Sequence, residues 1–384
     1  MTDNELEPIA SIQLAYAGKL FPAEQIHTFR NLDQAFPTRV VKRGETVSAL
    51  KMSDRTLDGL LFESHGNMYD IYDYVSRNCV TGLLVLKEGQ IVHEHYDYGN
   101  TERTRWISMS MAKSISSSLL GAAIQDGYID SLDDILSHYL PALAGGSYEG
   151  VSIRQLLLMT SGTQWNEDQT DENSERRQVL ELQIAQQAGG ILRYMNQLPK
   201  LARPGDRWNY STGETHMVGE LIKATTGMWV ADYLSEKFWV PLGMESDATW
   251  WLESPGGLEI AGSGISASLR DYGRFGQFIL DDGIINGTRV LPQGWVEQAG
   301  GPTKISGGKE IPYGLMWWPV PSLTGSCEER AFSARGIFGQ RIFINPVHKV
   351  VIVVWSARSK PMGAQTVLDN NFFNSVTNLL GDGA

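Results

Sequence analysis

Cysteine is almost absent from this chain of 384 residues: only Cys79 and Cys327 occur, far apart in the sequence. Two distant thiols make neither a disulfide framework nor a thiolate metal cluster, so both are expected to be buried and structural. Clustered positive charge is also missing. The formal net charge is −12, with no long single-sign run, which argues against nucleic acid or an anionic membrane surface as a partner. No uninterrupted apolar run reaches the ~18 residues that would span a bilayer. The opening MTDNELEPIASIQLAYAGKL lacks the basic flank and following apolar stretch of a secretion signal, so a cytoplasmic location is expected. There is no repeat of fixed period and no low-complexity tract.

What is present is an ordinary globular composition, 42% hydrophobic and 20% charged. At this length a single core usually stops growing, so two lobes, or one domain interrupted by another, are expected. Residues 1–69 mix short apolar patches with Pro and Gly and read as an extension packed on the main body. GLLVLKEGQIVHEHYDYG (82–99) is two β-rich runs around a Lys-Glu-Gly turn, a hairpin signature. RIFINP (341–346) and VVIVVWSA (350–357) form a second pair, and QTVLDNNFFNSVTNLL (365–380) has the spacing of an amphipathic helix. Between these β segments a helical period covers 110–126, 131–142, 152–160, 174–198, 213–235 and 269–282. Strands at both ends with helices between predict an α/β (α+β) fold. Residues 70–107 and 285–384 would supply an antiparallel sheet flanked by helices, 108–284 an inserted, mainly helical lobe, and the cleft between the lobes the active site.

The chemistry starts from Ser-x-x-Lys, which occurs three times: Ser110 to Lys113, Ser48 to Lys51, and Ser306 to Lys309. An i, i+3 spacing on a helix puts both side chains on one face. Ser48 and Lys51 lie in a short polar stretch, and Ser306 and Lys309 straddle two glycines that favour a loop. Only Ser110 has an apolar segment before it and a helical run after it. There the helix N-terminus would favour an oxyanion, and Lys113 would act as a base if burial or a nearby cation lowered its pKa. The alternative is a polar helix start. RPGDRWNYST (203–212) adds Tyr210 before a further helix, where a phenol of depressed pKa would exchange protons with Ser110. SARGIFGQRIFINP (333–346) adds a glycine-bracketed strand able to approach a substrate closely.

In this order and at these intervals, Ser110-Met111-Ala112-Lys113, Tyr210-Ser211-Thr212 and Ala334-Arg335-Gly336 resemble the three active-site motifs of serine hydrolases related to class C β-lactamases. The flanks LLLMTSGTQWNED (156–168), GSGISASLRDYGRFGQFILDDG (262–283), YGLMWW (313–318) and GQRIFINP are similar as well, so the resemblance covers roughly residues 75–380. The 6-aminohexanoate-oligomer hydrolases and the β-lactamase-like carboxylesterases look most alike. The resemblance implies a β-lactamase/transpeptidase-like fold, a small-molecule ester or amide substrate and no cofactor or metal. Ser110 would be acylated, Lys113 would activate it, and Tyr210 would take and return the proton. The backbone N–H groups of Ser110 and Ile337 would form the oxyanion hole.

Two departures matter. Thr212 stands where the family has Asn, and Ala334 stands where β-lactamases have Lys or His, which removes a donor for a substrate carboxylate. Arg335, one step along a strand, is expected to point away from the face shared by Ala334 and Gly336. These changes favour an ester or simple amide over a β-lactam. They also leave two other readings: a catalytically silent member of the fold that binds a peptide or acyl ligand, and a β-lactamase, D-aminopeptidase or transpeptidase activity.

Thr212, Ala334, Gly336, Trp317, Trp318 and Asp168 are the candidate substrate-binding residues, Asp168 because the acidic loop NEDQTDENSE (166–175) either overhangs the cleft or is simply solvated. Trp165, Trp208, Trp250, Trp251, Trp317 and Trp318 flank the motifs, as cleft walls or as core. His93, His95 and Asp97 alternate along one strand and read as a polar outer face rather than a metal site. GSGISA (262–267) reads as a turn into a helix rather than a dinucleotide loop, and His216 as a satisfied core histidine. A homodimer is left open.

Overall fold

The computed structural model describes residues 8–361 and 367–381. Its main sheet is antiparallel and six-stranded, in the spatial order Trp318–Pro319, Phe332–Arg335, Arg341–Asn345, Val350–Ser356, Val80–Lys87 and Gln90–Tyr96. The two ends of the chain therefore build one sheet, as the positions of the β-rich runs predict. Val80–Lys87 and Val350–Ser356 are buried at every position, because both faces of the sheet are covered. The period of two sorts their side chains. Leu84, Leu86, Ile342, Ile344, Val351 and Val353 enter the larger core beneath the helix Leu269–Leu280. Leu83, Val85, Phe343, Val350, Ile352 and Val354 enter a second core with Phe372, Phe373 and Val376 of the C-terminal helix Asp369–Leu380. Glycine lets the first helix lie close to the sheet: a Cβ at Gly273 would stand 2.6 Å from Leu84 Cδ2, and one at Gly276 would stand 2.6 Å from Val351 Cγ1.

A smaller antiparallel sheet orders Thr38–Val41, Ala248–Trp251, Ile265–Ala267 and Trp106–Ile107. GSGISA is thus more than a turn: its second half is a strand that runs into the helix starting at Leu269. Trp250 and Trp251 on the neighbouring strand are core residues. The segment before residue 70 gives this sheet an edge strand and packs Phe29 against Trp106 and Phe338, with ring centroids 6.0 and 4.9 Å apart.

The helical segments are shorter than their periodicity suggests. The 174–198 run is two helices, Glu175–Ile184 and Gly190–Gln197, parted where Gln186 and Gly189 take positive φ. The 213–235 run stops at Thr226 with Gly227 in the left-handed region and resumes as Val230–Leu234. The 131–142 run keeps only Leu136–Tyr139 before Pro141 starts a 3-10 turn. Residues 365 and 366 of the terminal helix prediction lie outside the described residues. Cys79 is half-buried and Cys327 exposed, so the expectation of two buried thiols fails at Cys327. Among the described residues no helix is long and apolar enough to cross a membrane.

Candidate active site

The helix Met111–Gln125 is led by Ser110 at the N-cap position, where a serine hydroxyl ordinarily caps a backbone N–H. Here it makes no such bond. Lys113 holds it instead: Nζ donates to Ser110 Oγ at 2.9 Å and to the Gly262 carbonyl at 2.9 Å. Met109, the residue before the serine, has φ of 45°, a strained conformation for a side-chain-bearing residue of the kind found at functional sites. Lys113 is 1% exposed. Burial lowers its pKa to about 7, with Glu167 opposing the shift and Arg176 reinforcing it.

Tyr210 directly precedes the helix Thr212–Thr226, whose N-cap Ser211 accepts from the Glu214 N–H. The phenol lines the same cleft as Ser110. The Tyr210 ring packs on Trp318 and Tyr313 at 5.4 and 6.0 Å, and Lys113 Nζ is 5.3 Å from its centroid. The expectation of a depressed phenol pKa is reversed. Burial and then the charge of Glu167 raise it, against smaller lowering by Ser110, Arg176 and Arg335. The shared pocket is dry enough to penalise phenolate and ammonium alike, so it moves the two groups in opposite directions.

Ser110 and Tyr210 face a cleft of about 810 Å³, bounded also by Trp208, Trp318, Arg335, Gly336 and Ile337, with Lys113 buried behind the serine. The Ser110 and Ile337 N–H groups both border the cleft, and neither donates to a protein acceptor among the described residues. Gly336 is required beside them: a Cβ there would stand 2.4 Å from Gln340 Oε1 and 2.8 Å from the Ser108 carbonyl. Ser48, Lys51, Ser306 and Lys309 are all exposed, away from this cleft.

The other candidates divide. Trp318, Gly336 and Asp168 line the cleft. Trp317 is fully buried against Phe275 and Phe332 and Ala334 is fully buried; neither borders the cleft. Arg335 does border it: along the strand Phe332–Arg335 it points opposite to the buried Ala334, and Gly336, past the strand end, joins it at the cleft, so the expected face shared by Ala334 and Gly336 is not formed. Its Nε donates to Ser333 Oγ at 2.9 Å and its guanidinium lies 5.2 Å from the Trp318 ring centroid. It has no acidic partner among the described residues, and burial together with Arg341 lowers its pKa to about 10.

Thr212 gives its hydroxyl and, at 2.8 Å, its N–H to the Glu167 carboxylate, which also accepts from Trp165 Nε1 at 2.6 Å. Thr212 is thereby turned toward protein. Glu167 is the residue that sequence reasoning missed as an individual: its place in the acidic loop was visible, its distinction from neighbouring Asp168 was not. Gly262, read only as the start of the GSGISA turn, was missed as the carbonyl that accepts from Lys113. That loop does overhang the cleft, with Asn166, Asp168 and Thr170 at its rim. His216 is buried, with its pKa pushed by burial down to about 4, and lies outside the cleft. His95 Nε2 stands 3.9 Å from Asp97 on a partly exposed strand, and no group of three or more potential metal ligands occurs among the described residues.

An antiparallel sheet drawn from both chain ends, with a lysine-held serine at a helix start beneath its edge, is the β-lactamase/transpeptidase-like fold. The profile of the Beta-lactamase family matches residues 79–371, and the chain belongs to that family of hydrolases. It is 29% identical over 347 residues to the 6-aminohexanoate-dimer hydrolase of Paenarthrobacter ureafaciens, covering 87% of this chain and 85% of the relative. To the D-aminopeptidase of Brucella anthropi it is 27% identical over 263 residues, 61% of this chain and 47% of the relative. A solved structure from Bacillus anthracis, assigned as a 6-aminohexanoate-dimer hydrolase, superposes with a TM-score of 0.80 at 24% identity, covering 93% of this chain and 94% of that one.

Proposed function

We propose that this protein cleaves short linear amides, and more readily activated esters, through an acyl-enzyme on Ser110. The observation that carries the reading is the buried Lys113 amine 2.9 Å from Ser110 Oγ, beside a phenol and two unused N–H groups in an open cleft. With a pKa of about 7, Lys113 is about half neutral at neutral pH and can take the serine proton as Oγ attacks the carbonyl carbon. The oxyanion then receives the Ser110 and Ile337 N–H groups, worth on the order of 3 kcal/mol each. Tyr210 keeps its proton in the resting site and is the donor to the departing nitrogen, after which Lys113 restores the phenol.

Arg335 stands on the Tyr210 side of the cleft and offers its free donors to an anionic group on the leaving portion, a function that Ala334 cannot perform. Amides that end in a carboxylate, such as a 6-aminohexanoate dimer, fit this arrangement, as the names of the relatives suggest.

The test uses p-nitrophenyl acetate and the linear 6-aminohexanoate dimer. A burst of one equivalent of nitrophenol is expected, with an acetyl adduct on Ser110 by mass spectrometry. Both should vanish in Ser110→Ala and persist in Ser48→Ala. Full turnover by Ser110→Ala would remove the mechanism, and binding of the dimer without turnover would favour the silent-binder reading.

A further inference from the structure

Hydrolysis through an acyl-enzyme needs a second reactant, and the structure holds a place for it outside the main cleft. Behind Ser110 lies a niche of about 10 Å³, bordered by Ser110, Glu167, Arg176, Gly262, Ser263 and Ile337, with Tyr16 from the N-terminal segment closing its back. A space of about this size admits one water molecule and little else, provided polar partners surround it.

Two of those partners are conspicuous for what they lack. Arg176 is only 6% exposed, and its guanidinium has the Tyr16 ring 4.7 Å from its centre but no hydrogen bond or ion pair among the described residues. Ser263 is 3% exposed, and its hydroxyl has no partner. The Ser263 hydroxyl is buried with no partner among the described residues, and a bridging water beside the Arg176 guanidinium would satisfy it. Glu167 does not resolve the problem, because its oxygens are engaged by Thr212 and Trp165.

The niche also lies on the chemically useful side. Ser110 and Ile337 border both the niche and the cleft, whereas Tyr210 borders the cleft alone. The two groups that accept from Lys113 Nζ, Ser110 Oγ and the Gly262 carbonyl, are both niche walls, so the amine stands next to it. We propose that this niche holds the hydrolytic water, with Arg176 and Ser263 as its positioning residues. The proposal rests on the acyl-serine reading above.

In the step it serves, the water oxygen bonds to the acyl carbonyl carbon while one of its protons passes to the neutral Lys113 amine. The carbon–Oγ bond then breaks, and Lys113 returns a proton to Oγ. The products are the carboxylic acid, which ionises to solvent, and free Ser110. Because the leaving group departs on the Tyr210 side, its exit does not disturb the stored water. The compartment's size further implies that water is admitted in preference to larger nucleophiles.

Stopped-flow kinetics with p-nitrophenyl acetate separate acylation, read as the burst rate, from deacylation, read as the steady state. In Ser263→Val, which fills the niche with methyl groups, and in Arg176→Met, both assayed at pH 9 where Lys113 is largely neutral with or without the Arg176 charge, the burst rate should stay within about twofold of the parent. Steady-state turnover should fall at least about tenfold, and acetyl-Ser110 should accumulate. In Ser263→Ala, which widens the niche by one oxygen, the partition between acetic acid and methyl acetate in aqueous methanol should shift toward the ester at least about threefold; a purely structural role would not move that ratio. Burst and steady state falling together, an adduct that clears at the parent rate, or an unchanged partition would each overturn the niche. A parent protein that gives neither burst nor adduct would instead overturn the acyl-serine mechanism itself.

Discussion

At the scale of single residues, one dry pocket assigns opposite protonation states to two groups that in water titrate close together. Lys113 is pushed toward its neutral amine and Tyr210 toward its neutral phenol, the protonation states that the proposed base and acid require. Since a lysine is a base only when unprotonated, a depressed pKa makes the active form the high-pH form. The burst rate with p-nitrophenyl acetate should therefore rise about tenfold per unit at low pH, bend near pH 7 and stay flat above it. A bend above pH 9 would mean that Lys113 titrates as an ordinary surface lysine and that the pocket is wet. Ser110 and Lys113 were legible in the sequence because their relation is local, one turn of one helix. The groups that set their chemistry were not. Gly262, Ser263, Glu167 and Arg176 reach the serine from segments about 50 to 150 positions away, and no spacing rule links them. Arg335 was misjudged because the cleft was assigned to the face of Ala334, which is buried in the core, and because Gly336 lies past the strand end, where alternation no longer places it with Ala334.

Among the elements, the helix Leu269–Leu280 shows how a sequence feature sets a packing distance. Its glycines at 273 and 276 face the strands that carry Leu84 and Val351, so the helix lies close enough for its apolar stripe to cover the sheet. Gly276→Ala offers better helix propensity by about 1 kcal/mol, yet its Cβ would meet Val351 Cγ1 at 2.6 Å and Ile342 Cγ2 at 3.1 Å. The contact should dominate, and a net loss of about 1–2 kcal/mol is expected in urea unfolding. A gain would show that the helix can shift outward freely. The strands of the main sheet were readable as β because of their branched residues and turn signals. Their partners across the sheet were not, since pairing Val350–Ser356 with Val80–Lys87 joins residues some 270 positions apart.

Across the whole molecule, the C-terminal helix is tied to the cleft through charge. Asp369, 4% exposed, pairs with Arg341 at 3.0 Å and with Arg358, and accepts from Tyr74 Oη at 2.9 Å; Arg341 in turn lines the cleft. Burial raises this carboxyl's pKa, but the two arginines more than offset the effect and hold it below the ordinary value. Asp369→Asn should leave two buried guanidinium groups without their charge partner and reduce unfolding free energy by about 3–5 kcal/mol, measurable in denaturant titrations. An effect below about 1 kcal/mol would mean that solvent reaches the pair.

By itself the sequence determined the period of each segment, the order of three motifs along the chain and the absence of thiol or basic clusters, all of which follow from neighbouring residues and from composition. Only the tertiary structure decided which serine is held by a buried amine, in which direction Tyr210 is shifted, and that a water-sized space borders Ser110. Those properties depend on desolvation and on charges brought from remote segments, and both arise when the chain closes on itself.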